Sequence, residues 1–151
     1  MKASRVMTRE VHCVTPEVPV ARAWGMMNEL RVRHLPVVFE GKLVGILSDR
    51  DLLVRAARAS DGRLTFPEVP VGEAMTVNPV AVPSTTPVSK LAALMLEHRI
   101  DSIPIVDLEG QLWGLVTSTD LLELLVEPEA LNDRLPFTYE VRGAGGATTA
   151  A

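Results

Sequence analysis

Several broad classes of protein are excluded by what this chain lacks. It has a single cysteine, Cys13, so no disulfide can close within it, and a reducing compartment is the expected setting. It has no basic excess: 15 lysines and arginines stand against 19 acids, a net charge of −4, which argues against a general nucleic-acid binder. No apolar run approaches the roughly 18 residues of a membrane span, and Met1-Lys2-Ala3-Ser4-Arg5-Val6-Met7 lacks the apolar core of a signal peptide. A cytoplasmic protein without membrane or nucleic-acid partners is the expectation. No Ser-His-Asp set, Cys-x-x-Cys pair or His-Glu-x-x-His run is present, so neither an enzyme nor a metal site is expected.

What is present is a repeat. Met7-Thr8 returns as Met75-Thr76, Pro19-Val20 as Pro87-Val88, and Leu35-Pro36-Val37-Val38 as Ile103-Pro104-Ile105-Val106, each 68 residues on. From Gly41 and Gly110 the spacing becomes 69, which places one inserted residue around Asp107-Leu108-Glu109, at a hairpin tip. With 151 residues, 47 % of them hydrophobic, the chain can bury one sizeable core or two small fused ones. The boundaries read as a first repeat over 1–59, a connector over 60–73, a second repeat over 74–127 and a partly flexible tail over 128–151.

Each repeat reads as strand, helix, strand, strand, helix. Short β-branched runs at 11–14 and 80–82 end at Thr15-Pro16 and Pro83-Ser84. Pro19 and Pro87 suit the start of a helix, with Thr86 as a cap in the second repeat. Val20, Ala23, Trp24, Met27 and Leu30 follow at helical spacing, as do Val88, Leu91, Ala92, Met95 and Leu96, and these stripes read as core rather than as a cofactor box. Hairpins flank Glu40-Gly41 and residues 107–110, and closing helices are expected over 49–59 and 118–127. Beyond Pro128 a short strand at 137–141 and a mobile small-residue stretch over 143–151 are expected.

The candidate site lies in the repeated stretch Gly45-Ile46-Leu47-Ser48-Asp49-Arg50-Asp51 and Gly114-Leu115-Val116-Thr117-Ser118-Thr119-Asp120, each followed by Leu-Leu. A strand handing over to a helix at a hydroxyl residue suits an N-cap, and Ser-x-x-Asp or Thr-x-x-Asp resembles a capping box. The same arrangement suits a ligand. The glycine lets it approach the backbone, the helix N-terminus offers N–H groups to a phosphate, and the carboxylate can accept from two sugar hydroxyls. Both readings stand on the residues alone.

Taken in order, the Met-Thr openings, the Leu/Ile-Pro-Val/Ile-Val step and the Gly-to-Asp close resemble a tandem pair of cystathionine-β-synthase-type (CBS) domains over about residues 2–126. That resemblance implies an α+β fold of two pseudo-twofold-related βαββα repeats packed as one module. It also implies pairing into a homodimer and clefts that take AMP, ADP, ATP or S-adenosylmethionine as a regulatory ligand rather than an obligatory cofactor, with the change passed to a protein partner. Carried over, it puts Ser48 and Thr117 beside the ribose-phosphate, Asp51 and Asp120 on the ribose hydroxyls, and Val11-His12 and Pro79-Val80 at the adenine end. Arg33-His34 would reach phosphates across the cleft, whereas the second repeat has Asp101-Ser102 there, which implies clefts of unequal phosphate affinity. Arg50 would add a charge its counterpart Thr119 cannot.

Plainer readings accompany these. His34 could be a solvated residue at a strand start, and Arg31 and Arg99 could be helix C-terminal cations. His12 and Cys13, adjacent on a strand, would point apart and make a poor metal pair, leaving Cys13 a small buried hydrophobe. Competing functions are a ligand-free dimerisation scaffold, in which the two Ser/Thr-to-Asp pairs only cap helices, and an enzyme acting on a nucleotide.

Overall fold

The computed structural model describes residues 1–126 and, for the backbone alone, the strands Tyr139–Gly143 and Gly146–Ala150. The chain divides into two compact units, Met1–Leu121 and Leu122–Ala151. Among the described residues no helix is long and apolar enough to cross a membrane.

The first unit opens with a 3₁₀ turn, Ala3–Arg5, and then α1 (Val20–Leu30), which turns Val20, Ala23 and Met27 inward at helical spacing. β1 (His34–Phe39) and β2 (Lys42–Ser48) form an antiparallel hairpin across Glu40 (φ 49°) and Gly41 (φ 76°), the two left-handed residues that a tight hairpin turn requires. After α2 (Asp49–Leu53), β3 (Ala57–Arg58) and β4 (Leu64–Thr65) make a small hairpin, and α3 (Val71–Ala74) leads into β5 (Thr76–Val77). The second repeat runs α4 (Val88–His98), β6 (Ser102–Val106), β7 (Leu112–Thr117) and α5 (Ser118–Glu123). Its hairpin carries the inserted residue: Asp107 Oδ1 accepts from the Glu109 and Gln111 N–H groups at 2.9 Å, and Gly110 has φ 83°.

Several elements differ from the sequence reading. The runs at 11–14 and 80–82 each shrink to one parallel bridge, Val14 to Val37 and Val82 to Ile105; after Val14 the next donor in the ladder is Pro16, which has no N–H. Thr86 is not a cap: Pro87 holds the N-cap position without a side-chain bond, as Pro19 does in α1. α2 stops at Leu53 rather than reaching 59, since Leu52 is its only buried residue and the chain beyond it turns into the β3–β4 hairpin at Gly62 (φ 85°). α5 likewise ends at Glu123, where 118–127 was expected to be helical; residue 127 lies outside the described residues.

The sequence repeats and the packed cores are not made of the same residues. The first core gathers Val20, Ala23, Met27, Leu35, Val37, Leu47 and Leu52 but also Val71 and Ala74 from the far side of the connector. The second gathers Leu91, Met95, Ile103, Ile105 and Val116 with Ala3 and Met7 from the N-terminal segment. The backbone repeats this exchange bond for bond. The Val20 N–H donates to the Val69 carbonyl at 3.1 Å, and the Val88 N–H donates to the Met1 carbonyl at 3.0 Å. β5 pairs with β2 at Gly45 and Ile46, and Thr8 pairs with Leu115 in the corresponding place on β7.

This exchange corrects the reading of Gly45 and Gly114 as places for a ligand to approach. A Cβ on Gly45 would strike the Met75 side chain and lie 2.9 Å from the Thr76 carbonyl oxygen; one on Gly114 would lie 2.8 Å from the Thr8 carbonyl oxygen and 2.9 Å from Met7 Sδ. The glycines make room for the Met-Thr backbone that crosses them. Gly45→Ala and Gly114→Ala are each expected to cost about 1–3 kcal/mol of stability by overpacking, measured by urea unfolding; unchanged midpoints would contradict this packing.

In the second unit β8 (Tyr139–Gly143) pairs antiparallel with β9 (Gly146–Ala150). A strand was expected over 137–141 and none over 143–151, yet Thr148 and Thr149 stand in β9, where β-branched residues are favoured. Residues 127–138, 144, 145 and 151, which include part of the expected tail, lie outside the described residues.

Candidate functional site

Two clefts open in the first unit, and each takes one wall from each repeat. The first, about 310 Å³, sets Thr117 and Asp120 from the β7–α5 corner opposite Val11 and His12, with Arg31, Arg33 and His34 along its side. The second, about 340 Å³, sets Ser48, Arg50 and Asp51 from the β2–α2 corner opposite Pro79 and Val80, with Arg99 and Asp101 along its side. His34, 8 % exposed, lines both. The residues singled out in the sequence thus come together in two crossed sets; Gly45 lines neither cleft, and Gly114 faces a separate hollow beside Trp113.

Both corners are complete capping boxes. The Asp51 N–H donates to Ser48 Oγ at 3.1 Å and the Ser48 N–H donates to Asp51 Oδ2 at 2.8 Å. At the other corner Asp120 Oδ2 accepts the Thr117 N–H at 2.6 Å and its hydroxyl at 2.9 Å, and the Asp120 N–H donates to Thr117 Oγ1 at 3.3 Å. Each carboxylate therefore spends one oxygen, Oδ2, on its own helix. Among the described residues Oδ1 of Asp51 and of Asp120 makes no hydrogen bond, and both residues line open clefts. Capping and an available acceptor coexist in one side chain.

The expectation that the helix N-termini offer free N–H groups to a phosphate fails for α2. Its Asp49 N–H donates to the Arg33 carbonyl at 2.9 Å, Arg50 N–H to Asp49 Oδ1 at 2.8 Å, and Asp51 N–H to Ser48 Oγ. In α5 the Ser118 N–H is used in the same way by the Asp101 carbonyl, at 2.8 Å.

Arg33 and His34 are engaged within the protein. The Arg33 guanidinium donates through Nη2 to Asp101 Oδ2 at 3.1 Å, and His34 Nε2 lies 2.8 Å from Asp101 Oδ1. His34 is buried, not solvated. Asp101, read from the sequence as a missing basic residue, is their shared partner.

Arg31 and Arg99 emerge as the cations that sequence reasoning undervalued. Each caps its helix in the left-handed conformation (φ 54°), with its N–H donating to the Met27 or Met95 carbonyl, and each lines a cleft. Glycine is the usual residue in that conformation, so an arginine there in both repeats carries a backbone cost. The signal was their recurrence at the spacing of 68.

Cys13 is half-buried, and desolvation pushes its thiol pKa up, which reduces the thiolate at neutral pH and with it nucleophilicity. It faces hollows away from the cleft that His12 lines, as opposite faces of an extended backbone require. Among the described residues no group of three or more His, Cys, Asp and Glu is placed to hold a metal ion.

The family model for the CBS domain matches residues 3–58 and 71–127. The inosine-5'-monophosphate dehydrogenase of Thermoplasma acidophilum is 29 % identical over 128 residues, which are 85 % of this chain and 24 % of that protein, so the chain spans about a quarter of its length. Among solved structures, CBSX2 in complex with AMP aligns with a TM-score of 0.74 and 28 % identity, covering 82 % of this chain and 95 % of that one. The CBS domain pair of MJ0100 in complex with 5'-methylthioadenosine and S-adenosyl-L-methionine aligns with a TM-score of 0.71 and 25 % identity, covering 83 % and 95 %. With both repeats matched and the fold shared, the chain belongs to the CBS domain family as a tandem pair.

Proposed function

We propose that this chain is a regulatory module that senses an adenosyl compound in its two clefts. The observation that carries the reading is that Oδ1 of Asp51 and of Asp120 makes no hydrogen bond among the described residues, each in a cleft whose far wall is the opening segment of the other repeat, Pro79-Val80 or Val11-His12. A carboxylate oxygen with no internal partner suits ribose hydroxyls, while apolar side chains suit the faces of a purine. The AMP held by CBSX2 and the two adenosyl compounds held by MJ0100 support that ligand class. Because each cleft spans both repeats, a ligand that closes it biases the angle between them, and a protein partner can read the change.

The module works in the cytoplasm as a homodimer in this reading. Val54 at the end of α2 and Leu96 on α4, 77 % and 81 % exposed, are apolar surface that self-association would cover. A ligand-free scaffold is the second reading, favoured by the two complete capping boxes. A thermal-shift screen separates them. AMP, ATP, S-adenosylmethionine or 5'-methylthioadenosine at a hundred times its Kd should stabilise the chain by about 2.7 kcal/mol. No shift from any of them at millimolar concentration would leave the scaffold.

A further inference from the structure

Arg33 and Asp101 hold equivalent places in the two repeats, 68 residues apart, yet they carry opposite charges and meet where the repeats join. Asp101 gives one oxygen to Arg33 and the other to His34. A guanidinium and an imidazole converging on two oxygens of one anion is the way a protein grips a phosphate. Arg33 and His34 line the first cleft, so a phosphate entering there meets two donors already engaged by a carboxylate. Formal charge agrees. Among the described residues the first cleft holds Arg31 and Arg33 against Glu10 and Asp120; with Arg33 neutralised by Asp101, its remaining balance is negative.

We propose that Asp101 is an internal anion that occupies the Arg33–His34 seat, so that the first cleft prefers adenosyl compounds without phosphate and admits a phosphorylated one only by displacing this carboxylate. The inference rests on the adenosyl-sensor reading and names the ligand class within it. Displacement also has a consequence for the second cleft, which Asp101 lines together with Asp51. A carboxylate released from Arg33 takes the second cleft's formal balance, Arg50 and Arg99 against Asp51, from +1 to zero, so a phosphate in one cleft weakens an anion in the other.

The test titrates the full chain and Asp101→Asn with AMP, 5'-methylthioadenosine and inorganic pyrophosphate by calorimetry. Asparagine keeps the size and removes the charge; Asp101→Ser serves as a second variant if melting curves show Asp101→Asn to be unfolded. AMP and pyrophosphate should bind the variant about fivefold more tightly, the scale of releasing an ion pair whose side chains are 62 % and 41 % exposed, and 5'-methylthioadenosine should be unchanged within about twofold. Adding Arg33→Ala should cancel the gain. If wild type binds the adenosyl compounds but the variant tightens AMP no more than 5'-methylthioadenosine, the internal anion is overturned and the sensor reading stands. If wild type binds no adenosyl compound, the sensor reading falls, and pyrophosphate decides alone: tighter binding by Asp101→Asn upholds the internal anion, and no change overturns it.

Discussion

Asp51→Asn combined with Asp120→Asn is expected to weaken adenosyl binding by about a hundredfold in each cleft while the fold survives. Each carboxylate divides its two oxygens between its own helix and the cleft. Oδ2 accepts the Ser48 N–H in one repeat and the Thr117 N–H in the other, and an asparagine carbonyl can keep that bond. The remaining position then carries an amide NH₂, which donates and cannot accept from ribose hydroxyls. Hydrogen bonds to a charged partner contribute about 1.5–3 kcal/mol each, so losing two corresponds to two orders of magnitude or more. The cap becomes neutral, and the cost in stability should stay near 1 kcal/mol per corner. Calorimetric titration and melting curves on the same samples make the comparison. A variant that melts earlier but binds as tightly as wild type would reduce both carboxylates to helix caps.

How far the site could be read beforehand depended on what kind of fact each residue encoded. The capping boxes were legible because they are local: hydroxyl and carboxylate three residues apart bond within one turn, whatever surrounds them. The hairpin at Glu40-Gly41 and the inserted residue before Gly110 were legible for the same reason. Gly45 and Gly114 were misread because their cause is distant, the Met-Thr backbone that arrives from the opposite end of each repeat. Apolar periodicity reports which face of a segment is buried and says nothing of which core receives it, so Ala3 and Met7 could not be assigned to the second core from pattern alone. Asp101 shows the limit most clearly. It was visible as a departure from the first repeat, and the equal spacing placed it at Arg33's counterpart, but only the packing of the repeats against each other turns two equivalent positions into partners.

Arg31→Gly and Arg99→Gly should move stability and binding in opposite directions. Both residues sit at φ 54°, where a side chain's Cβ crowds the backbone and glycine does not. Relieving that strain is worth about 1–2 kcal/mol for a residue in the left-handed region. The greater freedom glycine gives the unfolded chain offsets part of it, at about 0.4–1 kcal/mol, so the melting temperature should rise modestly. The arginine side chains line the two clefts, and among the described residues neither makes a side-chain hydrogen bond or ion pair, so each can meet an anionic tail on the ligand, Arg31 beside the Arg33–His34 seat and Arg99 in the second cleft. Removing one should weaken AMP by about tenfold or more in its cleft and leave an uncharged adenosyl compound such as 5'-methylthioadenosine nearly unaffected. A helix-capping role alone gives a different pattern, a change in melting temperature with AMP affinity untouched. Unequal losses between Arg31→Gly and Arg99→Gly would further separate the clefts, because Arg50 remains beside the second and Thr119 stands in its place in the first.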